Sequence, residues 1–363
     1  MRSQLARWFA LGLCALATSC GDEPERTPPE PPPAAPSDAD VAPPPAPSDA
    51  GPITSIDARV PMREAGSITA PAQRDASALG DGSALGFMDA ASVGVSLRIV
   101  SYNVAGLPEG LSSSHPERNS ALISPLLNGY DLALLQEDFA YHPQIVGASQ
   151  HPYVSPPYTG GNSLGDGLSF LSGFAYSDFQ RDAWLDCNGV VDSGSDCLTP
   201  KGFAFARFRV GEASVDIYDL HTDAGSAAGD QTARARNLRQ LAAAIGARSA
   251  GRAVIVAGDT NARYSRVGDT LPELVDAAEL RDVWVELHNK GQRPAAGVPV
   301  MCSADDPNDP ACERIDKILY RSGGGVTLRP RDYVVEGAKF VDENGAQLSD
   351  HRPVSVTFSL TSY

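Results

Sequence analysis

Short apolar runs rich in β-branched residues alternate with longer helical patterns between residue 97 and the C-terminus. The longer patterns, Arg118 to Leu127 and Asp230 to Ala247, have the spacing of helices. The shorter runs predict strands at Leu97 to Val104, Asp131 to Leu135, Gly202 to Val210, Val215 to Leu220, Arg252 to Ala257, Ile315 to Tyr320 and Pro353 to Leu360. Strands interspersed with helices, some joined by turns, predict two packed sheets with helices outside them. The pattern alone therefore indicates an α/β or α+β fold.

The N-terminus lacks this alternation. Residues 1–20 join Arg2 and Arg7 to a short apolar stretch, which is typical of a secretory signal and too short to span a membrane. Cys20 follows small residues, as in bacterial lipoprotein signals, so we expect lipidation at Cys20. Ordinary signal cleavage is the alternative, because Ala17 stands where that motif usually has a larger aliphatic residue. The protein is therefore expected to be a cell-envelope lipoprotein, on the outer membrane or cell surface, or otherwise to be secreted.

Residues 21–92 are rich in Pro, Ala and Asp and poor in large apolar side chains. Such a segment cannot bury enough surface to offset the entropy lost on ordering, so it predicts a disordered linker. Residues 93–363 would then form one folded domain of roughly 270 residues, which is enough for a sizeable core.

Four of the six cysteines lie in the predicted domain, as two pairs with the same spacing. Cys187 and Cys197, and Cys302 and Cys312, occur in segments rich in Asp, Ser, Gly and Pro. In an exported protein these pairs predict two local disulfides. A zinc site of four cysteines is the alternative, but paired cysteine ligands of zinc usually stand closer together in sequence. The second pair lies within the Pro-rich segment 288–314, which predicts a long loop.

The chain has a formal net charge of −16 at pH 7. The first 92 residues contribute −6, from 6 Lys and Arg against 12 Asp and Glu, and the remainder contributes −10, from 23 against 33. Proteins that bind nucleic acid tightly usually carry the opposite sign, because phosphate neutralisation supplies most of their affinity. The charge therefore disfavours tight duplex binding, although a local basic cleft can exist on an acidic protein.

Five short polar motifs follow apolar runs in order along the chain. They read Ser101-Tyr102-Asn103-Val104, Leu135-Gln136-Glu137, Asp219-Leu220-His221-Thr222, Gly258-Asp259-Thr260-Asn261 and Ser349-Asp350-His351-Arg352-Pro353. Together they would bring Asn, Glu, His and Asp side chains from strand ends toward one point, as metal-assisted phosphoester hydrolysis requires. In kind and order the motifs resemble the endonuclease/exonuclease/phosphatase superfamily, which includes DNase I, abasic-site endonucleases, inositol polyphosphate 5-phosphatases and neutral sphingomyelinases. The resemblance covers residues 97–360 and implies a four-layer α/β/β/α sandwich of the DNase I-like type.

The resemblance implies a Mg²⁺ site. Glu137 would be the principal ligand, Asn103 would contact the phosphate or the metal with its water, and Asp350 would lie beside the metal. Mg²⁺ suits one or two carboxylates, with water and phosphate oxygens completing its coordination, and Mn²⁺ would be able to replace it.

The resemblance also implies catalytic roles. Asp259 would orient or deprotonate the attacking water, and Asn261 would hold a phosphate oxygen. Asp316 would fix the ring of His351 and raise its pKa, while His221 would be placed to protonate the leaving oxygen. The sequence leaves open which histidine acts as the acid and which as the base.

Two enzyme functions remain open. The first is an exported Mg²⁺-dependent phosphoesterase that acts on a phospholipid headgroup, and the net charge and the expected lipid anchor favour it. Lys201-Gly202 also favours it, because it resembles a Lys-Gly pair of neutral sphingomyelinases. This resemblance would make Lys201 a substrate-binding residue. The alternative is an extracellular DNase I-like endonuclease. A third hypothesis is a non-catalytic binding protein on the same scaffold. The expected partners are a phospholipid or nucleic-acid phosphodiester and, through the N-terminal lipid, a membrane; the protein is expected to be a monomer.

Overall fold

The computed structural model describes residues 94–109, 115–158, 164–189 and 196–363. The predicted signal at 1–20, the lipidated Cys20 and the linker at 21–92 lie outside the described residues. Among the residues that are described, no helix has both the length and the apolar composition needed to cross a bilayer.

The described chain folds into strands and helices in a largely alternating order. The strands are β1 (Val95–Asn103), β2 (Leu132–Gln136), β3 (Tyr153–Val154), β4 (Ser169–Ser172), β5 (Tyr176–Ala183), β6 (Gly202–Val210), β7 (Ala213–His221), β8 (Val254–Asp259), β9 (Arg281–Asp282), β10 (Asp316–Arg321), β11 (Val326–Val335) and β12 (Val354–Ser362). The helices are α1 (Pro116–Leu126), α2 (His142–Val146), α3 (Ala228–Arg248), α4 (Leu271–Ala277) and α5 (Val283–Leu287).

The strands form two six-stranded sheets. The first has the order β11-β12-β1-β2-β4-β3 and the second has the order β5-β6-β7-β8-β10-β9. Both sheets are mixed, since β1 runs parallel to β2 and β7 runs parallel to β8, whereas the other pairs are antiparallel.

Alternation along β1 shows how the layers form. Leu97 and Ile99 belong to the large core that also contains the apolar side chains of β7 and β8. Val100 and Tyr102, which point to the other face, pack with Ile123 of α1 in a second core. Helix α3 buries one apolar stripe at the second sheet. The four-layer α/β/β/α sandwich predicted from the sequence is therefore confirmed.

The predicted strands and helices are present, with ends shifted by one or two residues, because apolar β-branched runs mark buried strands well. Five strands, β3, β4, β5, β9 and β11, were not predicted, and β5 and β11 are the longest of them. Both lie at sheet edges and expose many of their polar side chains, so they lack the apolar run that identifies a central strand. The segment 288–314 contains neither a helix nor a strand, as expected for a loop.

Both expected disulfides are present. Cys187 is bonded to Cys197 and Cys302 is bonded to Cys312. Because all four sulfur atoms are used in these bonds, the alternative of a four-cysteine zinc site is wrong.

Candidate active site

The polar motifs meet at one end of the sandwich because of strand direction. Parallel strands β1 and β2 end together, with Asn103 and Gln136 as register partners. Parallel strands β7 and β8 also end together, with His221 opposite Asp259. Strand β10 runs the other way and begins with Asp316 opposite Asp259. Side chains from both sheets therefore reach the same place.

Asp259 is at the centre of the cluster and is buried. Its Oδ2 accepts a hydrogen bond from Asn103 Nδ2 at 3.2 Å, and it lies 3.4 Å from His221 Nε2 and 3.6 Å from His351 Nε2. Its Oδ1 accepts a hydrogen bond from the Asn261 backbone N–H at 2.9 Å. Burial raises the pKa of Asp259, while the charge of His351 opposes that rise.

Glu137 faces the same space from the first sheet. Its Oε1 accepts a hydrogen bond from Asn103 Nδ2 at 2.9 Å and lies 3.9 Å from His221 Nε2. Burial raises the pKa of Glu137, although the hydrogen bond from Asn103 and the charge of Lys201 act in the opposite direction. Asn103 thus links the two carboxylates, Glu137 and Asp259.

The ring of His351 is held by Asp316. Nδ1 of His351 lies 3.0 Å and 3.1 Å from the two carboxylate oxygens of Asp316, which leaves Nε2 directed at Asp259. Burial alone would lower the pKa of His351. The negative charges of Asp316 and Asp259 outweigh burial and raise that pKa well above its ordinary value. A protonated His351 would donate from Nε2 to an anionic group in the site.

His221 has the opposite electrostatic setting. Its ring is buried, and burial lowers its pKa well below the ordinary value; the charges of Lys201 and His351 act in the same direction. The backbone carbonyl of His221 accepts a hydrogen bond from Trp184 Nε1 at 2.7 Å. The two histidines therefore differ in charge preference, because the hydrogen bond and charge of Asp316, together with Asp259, outweigh burial at His351, whereas burial prevails at His221.

The remaining predicted site residues surround this cluster. Asn261 Nδ2 donates to the Thr222 carbonyl at 3.3 Å. Lys201 pairs with Asp196, yet its charge is close enough to oppose the rise in the pKa values of both Glu137 and Asp259. Asp350 is exposed, and its Oδ1 accepts a hydrogen bond from Ser349 Oγ at 3.3 Å. Its carboxylate therefore lies outside the cluster that Glu137, Asp259 and the two histidines form.

The donor set of the cluster suits a hard cation. Ligand atoms of Asp259, Asp316 and His351 lie within 4.8 Å of one another, and Asn103 connects Asp259 to Glu137. Carboxylate oxygens are the ligands that Mg²⁺ and Mn²⁺ prefer, and the cluster supplies three carboxylates. Asn103 directs its amide nitrogen to Glu137 and Asp259, while its amide oxygen accepts from the Ala105 N–H. Burial of Glu137 and Asp259 would be offset by a bound divalent cation, since it would stabilise both in their charged forms.

Backbone conformation near the site is unusual. Ala105, Glu137 and Asn261 have φ values of 50°, 57° and 46°, in the left-handed region that residues with a Cβ rarely adopt. Gly258 has a φ of 145°, and a Cβ there would lie 2.1 Å from the Leu220 carbonyl oxygen. Only glycine fits at that position, and it allows β8 to turn so that Asp259 and Asn261 flank the same space.

Two supporting interactions were not predicted from the sequence. Ser349 Oγ donates to the Asn103 carbonyl at 2.7 Å, which joins the last motif to the first. Asp138, directly after Glu137, lies 2.5 Å from His142 Nδ1 and accepts from Ser169 Oγ at 2.7 Å. The contact between Asp138 and His142 could have been predicted, because the two residues are four apart in sequence at the start of α2.

The sequence of the chain matches known proteins over much of its length. Residues 100–351 match the model of the Endonuclease/Exonuclease/phosphatase family. The chain is 39% identical over 269 residues to the sphingomyelinase of Mycobacterium tuberculosis, an alignment that covers 72% of this chain and 52% of the relative. The chain thus spans about half the length of the curated relatives it matches.

Solved structures share the fold. Beta toxin from Staphylococcus aureus, in a structure with bound magnesium ions, has a TM-score of 0.51 at 15% identity and covers 74% of this chain and 99% of its own. TDP2 from D. rerio, complexed with a single-strand DNA product, has a TM-score of 0.51 at 20% identity and covers 72% of this chain and 98% of its own. The match of the family model to most of the chain, on a fold of the same type, shows that the chain belongs to the endonuclease/exonuclease/phosphatase family.

Proposed function

We propose that the chain is an exported, Mg²⁺-dependent phosphodiesterase. The observation that carries this proposal is the convergence of Glu137, Asp259 and Asp316 with two histidines at one end of the sandwich. Glu137 and Asn103 would hold Mg²⁺, and the exposed Asp350 would act on the site through its charge. When bound, Mg²⁺ would polarise the phosphate and stabilise the leaving oxygen.

Side chains of the protein would activate the water, bind the phosphate and transfer the protons. Asp259 would orient the attacking water and accept its proton, and the Asn261 amide would hold a phosphate oxygen. His351, fixed by Asp316, would donate from Nε2 to the phosphate. Neutral His221, whose Nε2 lies 3.4 Å from Asp259 Oδ2, would take up the proton that Asp259 accepts from the water and deliver it to the leaving oxygen. Lys201 would attract the anionic substrate.

A phospholipid headgroup is the substrate class we favour. The relatives at 39% identity are sphingomyelinases, and the net charge of −10 on residues 93–363 opposes binding of a polyanion. An extracellular nuclease is the second candidate, because His221 also has a counterpart in DNase I. The likeness to TDP2 supports the fold alone.

Removal of the metal should abolish activity without unfolding the protein. EDTA is expected to stop hydrolysis of bis-p-nitrophenyl phosphate, and Mg²⁺ or Mn²⁺ should restore it, while the far-ultraviolet circular dichroism stays unchanged because the core does not depend on the ion. Full turnover in EDTA would contradict the metal proposal. No turnover with any ion would instead favour the non-catalytic binding protein.

The substrate class is decided by a direct comparison. Choline phosphate release from sphingomyelin vesicles and nicking of plasmid DNA are measured at equal enzyme and Mg²⁺ concentrations. We expect kcat/KM to be higher for sphingomyelin. Efficient nicking without choline phosphate release would establish the nuclease and leave the proposed metal site unchanged.

Lipidation of Cys20 is also a proposal, since that residue lies outside the described part of the chain. A lipid on Cys20 would hold the protein at a membrane. Cys20→Ala should move the protein from the membrane fraction to the soluble exported fraction, and Cys14→Ala serves as the control. An unchanged membrane fraction in Cys20→Ala would contradict the proposal.

A further inference from the structure

A pocket of about 130 Å³ opens beside the catalytic cluster. We name it the Trp184 pocket. Its walls include Trp184, Asp196, Pro200, Lys201, Asp223 and the Cys187–Cys197 disulfide. The volume is close to that of a cavity that accepts one benzene molecule, roughly 150 Å³. A single compact group of a larger substrate would therefore fill it.

The pocket lies next to the catalytic cluster. Trp184 Nε1 donates to the backbone carbonyl of His221, and Asp223 follows His221 by two residues. Lys201, which lines the pocket, also acts electrostatically on Glu137 and Asp259. A phosphodiester held at the cluster could thus extend its neighbouring group into the Trp184 pocket.

The charged groups around the pocket leave one carboxylate oxygen without a partner. Asp196 pairs with Lys201 and also accepts from the Ala224 N–H at 2.9 Å. Asp223 is 1% exposed, and its Oδ2 accepts from the Asn188 N–H at 2.7 Å. Its Oδ1 is buried and has no hydrogen-bond partner among the described residues. Burial raises the pKa of Asp223 to about 6, although the hydrogen bond from Asn188 and the charge of Lys201 act in the opposite direction.

The residues that line the Trp184 pocket favour one kind of cation as the partner of Asp223. Trp184, Pro200 and the disulfide present mainly carbon and sulfur, which are poor ligands for a hydrated metal ion or a primary ammonium group. An indole face beside a carboxylate is instead suited to a weakly hydrated cation, and aromatic residues recognise quaternary ammonium groups in this way. The pocket therefore has the size, charge and surface that fit a trimethylammonium group.

We propose that the Trp184 pocket binds the quaternary ammonium end of the substrate and so selects choline-bearing phosphodiesters over others. This inference rests on the proposed phosphodiesterase function. Trp184 would contact the methyl groups and Asp223 would supply the compensating charge, while the phosphate remains at the catalytic cluster.

The first test compares two substrates that share a p-nitrophenyl leaving group. For Asp223→Asn, KM for p-nitrophenyl phosphorylcholine should rise about tenfold more than KM for bis-p-nitrophenyl phosphate, which has no cation. Glu212→Gln removes one charge at the opposite end of the β6–β7 hairpin and should change neither substrate. Equal changes on both substrates in Asp223→Asn, or no change on either, would overturn the proposal while leaving the phosphodiesterase function intact.

A matched pair of variants isolates the aromatic face. Trp184→Phe and Trp184→Leu both lose the hydrogen bond to His221, but only the phenylalanine keeps a π system. We expect Trp184→Leu to raise KM for the choline substrate about fivefold above that of Trp184→Phe. Equal KM values in the two variants would refute a role for the ring.

The second test needs no turnover. Tetramethylammonium is titrated into the full chain, and the tryptophan indole resonances are followed by NMR. Saturable shifts that are lost in Asp223→Asn and retained in Glu212→Gln would support the pocket even if no substrate were hydrolysed. Absence of saturable binding to the wild-type chain would refute it, whatever the hydrolysis assays show.

Discussion

Asp259→Asn is expected to lower kcat by at least about two orders of magnitude on every phosphodiester substrate, since it removes a preorganised charge and a proton acceptor together. The substitution keeps the shape of the side chain. Asp259 lies within 3.6 Å of both His221 Nε2 and His351 Nε2 and accepts from Asn103, so a neutral amide would leave both histidines without their shared anion. The measurement is kcat at saturating Mg²⁺.

Stability separates this effect from unfolding. The thermal midpoint of Asp259→Asn should stay near the wild-type value or rise slightly, because burial raises the pKa of that carboxyl and an amide is less costly to bury. Asp276→Asn provides the control, since Asp276 is exposed on α4 and pairs with Arg293 at the surface. A kcat for Asp259→Asn within about fivefold of wild type would contradict the assignment of the site.

Arg234→Met should destabilise the protein by about 3–5 kcal/mol, the loss typical of breaking a buried ion pair by removing one partner. Arg234 is 1% exposed on α3. Its Nη2 donates to Asp269 at 2.9 Å, and its Nη1 donates to the carbonyls of Asp223 and Gly225 at 2.9 Å and 3.1 Å. The variant would remove the nearer cation of the buried Asp269 carboxylate and leave only Arg266, whose Nε lies 3.4 Å from Asp269 Oδ2. The measurement is the free energy of unfolding in urea.

Arg239→Met on the same helix is the matched control. Arg239 and Glu273 are both exposed and lie 3.3 Å apart, so loss of that pair should change the free energy of unfolding by less than about 1 kcal/mol. Equal destabilisation by the two substitutions would show that the buried pair of Arg234 has no special contribution. Arg234→Met should also disturb the segment after His221, because Arg234 holds the carbonyls of that segment.

The sequence predicts the central strands and the site residues at their ends for the same physical reason. A strand buried on both faces must be a continuous apolar run, so the polar residue at its end is conspicuous, as Glu137 is directly after β2 and Asp259 is at the end of β8. Gly258, directly before Asp259, is a second indication of this strand end, because its backbone approaches Leu220 so closely that no side chain would fit.

Other features depend on contacts between distant segments and leave little trace in the sequence. Strand β5 lies at a sheet edge and has no fully buried residue, so its pattern resembles that of a loop. The Trp184 pocket gathers residues from three separate segments, and no spacing connects Trp184 to Asp223. The sequence also does not reveal that His351 and His221 have opposite charge preferences, since that difference comes from burial and from the position of Asp316.

The left-handed backbone at Ala105, Glu137 and Asn261 has a consequence for protein engineering. A non-glycine residue held in such a conformation typically costs about 1 kcal/mol or more of folding free energy, which glycine would recover. A selection for higher melting temperature alone would therefore favour substitutions at these positions. Glu137→Gly and Asn261→Gly would relieve the backbone strain but would remove side chains with proposed roles in catalysis. At Glu137 and Asn261 the protein accordingly has a reserve of stability that can be released only by giving up catalysis.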